Sequence, residues 1–123
     1  MKNSPLVSIC IPVYNAEKFI KEAIVSCLHQ SYKNIEIIIV DNLSTDRTFE
    51  IVKTFLDSRI RVFRNSTNIG MCGNWNICLK YANGEYVKIL PADDLLNMQC
   101  IEDQVNIFNT HKDISLVCCS RKV

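Results

Sequence analysis

Ile35-Glu36-Ile37-Ile38-Ile39-Val40 is the stretch that decides the fold. A half-buried strand would alternate apolar with polar residues, whereas this run is apolar and β-branched almost throughout. That is the pattern of a parallel strand covered on both faces. Working outward, a helix is expected on either side. Within residues 16–30, Phe19, Ile20, Ala23, Ile24, Cys27 and Leu28 recur at helical spacing, with Asn15 placed as the N-cap. Residues 45–56 carry Phe49, Val52, Phe55 and Leu56 on one side, with Ser44 or Thr45 at the helix start.

The same alternation continues to both ends. Residues 6–11 form a first strand, stopped by Pro12, which has no N–H to give a ladder. Residues 60–63 form a short third strand, followed by the turn-rich loop Asn65-Ser66-Thr67-Asn68-Ile69-Gly70. A helix over 72–82 ends at Asn83-Gly84, a pair suited to left-handed φ. A strand over 85–90 comes next, and then a helix over 98–109 with Ile101, Val105 and Phe108 inward. Residues 115–119 read as a further strand. Alternating strands and helices imply an α/β fold, a mainly parallel Rossmann-like sheet flanked by helices and joined by right-handed crossovers. No linker or repeat divides the chain, which reads as one domain or part of one.

Composition narrows the function. With 14 basic and 13 acidic residues among 123, the formal charge is +1, so nothing suggests a nucleic-acid partner. Arg59, Arg61 and Arg64 form the local basic cluster. Arg59 and Arg61 share parity and are expected on one solvated strand face. The seven cysteines are odd in number and fit no disulfide framework, and neither His29 nor His111 completes a zinc spacing. Cys10, Cys27, Cys78, Cys118 and Cys119 lie within apolar patterns, where a thiol acts as a small hydrophobe. Reduced thiols favour a cytoplasmic location. No signal peptide or membrane span is read, since the longest apolar runs are of strand length.

In an open α/β sheet, ligands bind beyond the carboxyl ends of the strands. The exits here are Pro12-Val13-Tyr14-Asn15, Asp41-Asn42-Leu43-Ser44 and Pro91-Ala92-Asp93-Asp94. Two adjacent carboxylates after a buried strand repel each other unless a cation offsets them. A hard divalent ion shared with a substrate's phosphates does so; the plainer alternative is a helix cap with a solvated neighbour. The first exit contains no glycine, so neither a dinucleotide fingerprint nor a P-loop is present, and a bound diphosphate would need a metal. A phosphoacceptor receiver, with Asp41 or Asp93 modified, would want acidic residues after the first strand and a lysine supplied by a late strand; the first strand ends in Pro-Val-Tyr-Asn instead, and no late strand is read as supplying that lysine.

Taken together, Val7 to Glu17, Ile35 to Asp46, Asn68-Ile69-Gly70, Gly73-Asn74-Trp75-Asn76, Ala82 to Tyr86 and Leu90-Pro91-Ala92-Asp93-Asp94 resemble the inverting family 2 glycosyltransferases of the GT-A fold. The resemblance implies that residues 1–123 are the nucleotide-sugar-binding half of such a domain. It implies transfer of a sugar from a nucleotide-diphosphate donor, with a UDP-sugar favoured, to a saccharide or lipid-linked acceptor. Surface polysaccharide synthesis and a peripheral place at the inner face of the membrane belong to the same expectation.

By the same resemblance, Asp41 would accept a hydrogen bond from a base edge, with capping as its plainer role. Tyr14 would flank the base or simply pack, Pro12 and Asn15 would shape its loop, and Glu17 would contact base or ribose. Asn68, Gly70 and Asn76 would line the donor pocket, Asn76 having a bare helix surface as its alternative. Asp93 would bind Mn²⁺ or Mg²⁺ on the diphosphate, with Asp94 as second ligand or supporting partner. Trp75 reads as core rather than ligand.

The chain departs from the pattern at three places. Pro91 replaces the first Asp of Asp-x-Asp, Asn42-Leu43 replaces Asp-Gly after the second strand, and Asn74-Trp75-Asn76 stands where many relatives have Ala-Arg-Asn. The last change puts an arginine contact to the diphosphate in doubt. The general base that deprotonates the acceptor hydroxyl is expected beyond residue 123, so the alternative to an active transferase is a nucleotide-binding module without independent turnover.

Overall fold

The structure, a computed structural model, describes residues 4–120 and 122. The elements are β1 (Val7–Val13), α1 (Ile20–Leu28), β2 (Ile35–Asp41), α2 (Thr48–Lys53), β3 (Ile60–Arg64), α3 (Gly70–Tyr81), β4 (Tyr86–Ile89) and α4 (Cys100–Thr110). The four strands make one sheet in the order β3-β2-β1-β4, and each neighbouring pair is parallel. This is the expected α/β layering. Every residue of β1 and β2 is buried, as their apolar runs imply.

Strand parity splits the core in two. Ile9, Ile11 and Val13 of β1, with Ile35, Ile37 and Ile39 of β2, pack against α1, α2 and α4. Cys10, Ile38 and Val40 face the other way, toward Cys78 of α3. Each isoleucine taken from water contributes about 2 kcal/mol, so β2 is the apolar spine of the domain.

Register sets the level of the exits. Val13 pairs with Asp41, and Cys10 pairs with Ile89. β4 therefore leaves the ladder early, and Leu90 N–H still donates to Cys10 O at 2.8 Å. Beyond Leu90 the β4 side turns, with Asp94 N–H closing on Pro91 O at 3.0 Å, whereas the β1–β2 register continues to bring Asn42 level with Tyr14. Asn42 N–H donates to Val13 O at 2.9 Å, which extends the β1–β2 side.

Several local expectations are corrected. Asn15 does not cap α1: its φ is 48°, and Phe19 and Ile20 first close a turn on Ala16 O. Its carboxamide oxygen instead accepts from Thr45 N–H at 2.8 Å, tying the β1 exit to the β2 exit. Ser44 and Thr45 are spent on that link, so α2 starts later, with Asp46 Oδ1 accepting from Thr48 N–H. α2 also ends early, leaving Leu56 94% exposed. Asn83 and Gly84 adopt no left-handed φ. Glycine is required at 84 by closeness, because a Cβ there would lie 2.7 Å from Ser8 N and 2.8 Å from Leu6 O.

Arg59 and Arg61 do not share a face. Arg59 precedes β3 and so escapes its alternation; it pairs with Asp57 and reaches Leu28 O on the α1 side. Arg61 pairs with Glu36 and donates to Tyr81 O at the end of α3. Residues 115–119 form no strand. Ser115, Leu116 and Val117 line a cavity of about 300 Å³ together with Tyr86, Val87 and Lys88 of β4, and Cys118 and Cys119 are exposed.

Candidate functional site

A cleft of about 580 Å³ opens at the carboxyl ends of β1, β2 and β4. Its walls come from two directions. Pro12 and Tyr14 leave β1 and lead to Phe19 before α1, while Met71, Asn74 and Trp75 come from α3 on the other sheet face. Asn42, Asn68 and Asp93 complete the polar part. Among the described lining residues, Asp93 is the charged one, and no cation joins it.

In the structure Asp41 takes the capping role that the sequence offered as its plainer alternative. Its side chain is 0% exposed and turns away from the cleft. Ser44 donates to it through both its N–H and its hydroxyl, and Arg64 Nε approaches Oδ2 at 3.0 Å. Parity gives the reason: residues 35, 37, 39 and 41 point to the α1–α2 face. Asn42 follows the parity of Ile38 and Val40, toward α3, and it reaches the cleft instead. That alternation is the signal by which Asn42 could have been found in the sequence.

Asn42 organises the floor. Its Nδ2 donates to Asn68 Oδ1 at 2.9 Å and to Gly70 O at 3.2 Å. Its Oδ1 accepts from Asn65 Nδ2 and from Ile69 N–H, both at 3.0 Å. Asn65 also donates to Asn74 Oδ1, and Asn74 Nδ2 donates to Val40 O at 3.0 Å. The amides therefore pin the loop before α3 to the end of β2. Gly70, with φ of 80°, makes the left-handed turn that starts α3. Next to the floor, Leu43 also has positive φ, at 61°. That costs a non-glycine residue about 1 kcal/mol, offset here by the Ser44 bonds to Asp41 and to Asn15 N–H.

The remaining expected residues divide. Pro12, Tyr14, Asn15, Asn68 and Asp93 are brought together around the cleft. Gly70 stands behind the lining and gives it a carbonyl. Glu17 lies outside, its carboxylate accepting from Arg47 N–H at 3.0 Å. Asn76 is exposed on α3 and does not line the cleft. Asp94 is also outside the lining, with its N–H donating to Pro91 O. Trp75, read as core, is 36% exposed and forms part of the wall.

No group of three or more His, Cys, Asp or Glu side chains is gathered as a metal site among the described residues. The exposed Asp93 carboxylate is a hard oxygen donor, and an ion shared with phosphates needs few protein ligands. The donor set thus fits Mn²⁺ or Mg²⁺ carried on a diphosphate.

The family description Glycosyl transferase family 2 matches residues 8–123. The chain belongs to that family. It is 42% identical over 107 residues to the Escherichia coli UDP-Glc:alpha-D-GlcNAc-diphosphoundecaprenol beta-1,3-glucosyltransferase WfaP, covering 87% of this chain and 43% of WfaP. In three dimensions, this family 2 chain is similar to S. aureus TarS 1-349 in complex with UDP-GlcNAc (TM-score 0.81, 32% identity, 86% of this chain and 32% of that one). It is also similar to the mannosyltransferase PcManGT from Pyrobaculum calidifontis in complex with GDP-Man and Mn2+ (TM-score 0.75, 27% identity, 87% and 32%). The chain spans less than half the length of the curated relatives it matches. No helix among the described residues is long and apolar enough to cross a membrane.

Proposed function

We propose that this chain is the donor-binding part of a glycosyltransferase that takes a sugar from a nucleoside diphosphate, with UDP favoured, and passes it to a saccharide or lipid-linked acceptor. The observation that carries the reading is that Tyr14, Asn42 and Asp93, from the exits of β1, β2 and β4, line one cleft. Tyr14, 48% exposed, offers an aromatic face to a planar base. Asp93 stands on the other side, where the diphosphate would lie. The cofactor, Mn²⁺ or Mg²⁺, supplies Lewis-acid neutralisation of the departing nucleoside diphosphate when bound. Its presence in the PcManGT complex supports this assignment.

In the proposed reaction, the acceptor oxygen bonds to the sugar's anomeric carbon as the bond from that carbon to the diphosphate oxygen breaks, with inversion. The acceptor proton goes to a general base, which we place outside residues 1–123, as we do the acceptor contacts. Synthesis of a surface polysaccharide at the cytoplasmic face of the membrane is the setting we infer, and the acceptor named for WfaP supports it.

Calorimetry tests the reading. UDP should bind in the presence of Mn²⁺ and lose at least about tenfold in affinity without it. Asp93→Asn should remove the metal effect while leaving thermal stability unchanged, since the side chain is exposed. Equal UDP affinity with and without Mn²⁺, or no binding at all, would sink it. A parallel transfer assay with UDP-sugars should show little turnover by this chain alone.

A further inference from the structure

Gln30, just past the end of α1, is a polar side chain wholly removed from water. Its carboxamide Nε2 donates to Ser26 O at 3.1 Å and to Asn97 O at 2.7 Å, while Oε1 accepts from Ile101 N–H at 3.1 Å. One turn earlier, Ser26 Oγ donates to Ala23 O and accepts from Leu96 N–H at 3.1 Å. Ser31 N–H, next along the chain, donates to Met98 O at 2.8 Å. The end of α1 thus grips the backbone from Leu96 to Ile101, the run that joins Asp93 to α4. The other foot of this loop is fixed as well, by Leu90 N–H on Cys10 O at 2.8 Å. Between the two feet lie residues 91–95, with Asp93 at their centre and exposed. An exposed carboxylate takes its position from the backbone that carries it.

We propose that Gln30, together with Ser26, is a positioning residue for Asp93: it fixes the loop between β4 and α4 so that the carboxylate stands in the cleft to meet a metal-bound diphosphate. This rests on the metal and nucleotide reading above and adds what holds the ligand arm in place. The chemistry calls for a carboxamide. Two backbone carbonyls take donors and one backbone N–H takes an acceptor at a single buried spot. Gln supplies both kinds, an ionised Glu has no donor, and a Met of similar length fills the space without tying the loop. A loop that wanders would lower affinity for the metal-bound ligand in proportion to the time spent out of place. Contacts made by the β1 and β2 exits would not change.

The test is calorimetry on the full chain, titrating UDP with and without Mn²⁺, for the parent, Gln30→Met and Ser26→Ala, well below each Tm. The parent's gain from metal, at least about tenfold, should shrink to about threefold or less in Gln30→Met and by a smaller factor in Ser26→Ala. Metal-free UDP affinity should match the parent. Without metal or nucleotide, the Ile101 amide of Gln30→Met and the Leu96 amide of Ser26→Ala should exchange hydrogen at least about tenfold faster. A purely structural brace would lower Tm yet leave the metal gain whole in the folded protein. That outcome, or unchanged exchange at both amides, would overturn the proposal and leave the metal and nucleotide reading standing. Should Gln30→Met not fold, Ser26→Ala decides by the same criteria. No metal gain in the parent would overturn both.

Discussion

Arg64 and Asp41 illustrate what a single residue does here. The Asp41 carboxylate is cut off from water, and its charge is met by Arg64 and Ser44. Removing the cation while leaving the buried anion is costly, though the part-exposed Arg64 lets some water in. Arg64→Leu should therefore destabilise the fold by about 3 kcal/mol, read as a lower urea midpoint with unchanged slope. No loss of stability would show that the two Ser44 hydrogen bonds suffice to hold the buried Asp41 carboxylate. At this scale the sequence was half legible. It announced that the β2 exit matters, but it offered two adjacent polar residues. Alternation across the sheet, rather than charge, decides that Asn42 enters the cleft and Asp41 braces it. Trp75 was illegible for a related reason, since an aromatic on a helix reads as core until the neighbouring strand's exit is known.

Among the elements, β1, β2, β3 and α3 meet at Glu36. Burial pushes its carboxyl pKa upward, yet hydrogen bonds from Ser8 and Asn83 and the charge of Arg61 outweigh this and hold it below the ordinary value. A folded pKa below the unfolded one means that stability is present above about pH 4.3, the ordinary glutamate value, and is lost as pH falls through the lowered value. Glu36→Gln should flatten that acid limb in denaturation curves collected from pH 6 downward. An unchanged limb would assign acid sensitivity to other carboxylates.

The close approach at Gly84 gives a second test. Gly84→Ala must displace the backbone of Leu6 and Ser8, and should cost about 1–3 kcal/mol in thermal or chemical unfolding. Element types were legible from periodicity, because β2 and α1 bury one consistent set of residues. Helix starts were not, because Asn15, Ser44 and Thr45 look like caps but bond to one another across the exits. The segment over 115–119 has strand-like composition and no ladder, and composition alone cannot supply a partner edge.

For the molecule as a whole, the parallel sheet and the position of the cleft followed from alternating elements and from strand exits. The depth of the cleft and the two-sided origin of its walls depend on register and on which face α3 covers, which a linear reading does not contain. Ligand linkage tests the assembled site. At a hundredfold excess over its dissociation constant, Mn²⁺–UDP should stabilise the fold by about 2.7 kcal/mol, raising Tm by several degrees. EDTA should abolish the rise. A Tm gain that survives chelation would place the nucleotide somewhere other than beside Asp93.

The asparagine floor has a consequence for how the protein meets a changing environment. Amides neither gain nor lose a proton across the biological range, so the pocket bottom is deaf to acidity. Whatever a drop in pH does to donor capture must arrive through groups outside that floor, the donor's own phosphates among them. A phosphate-free nucleoside should accordingly be held with the same strength from mildly acidic to neutral solution.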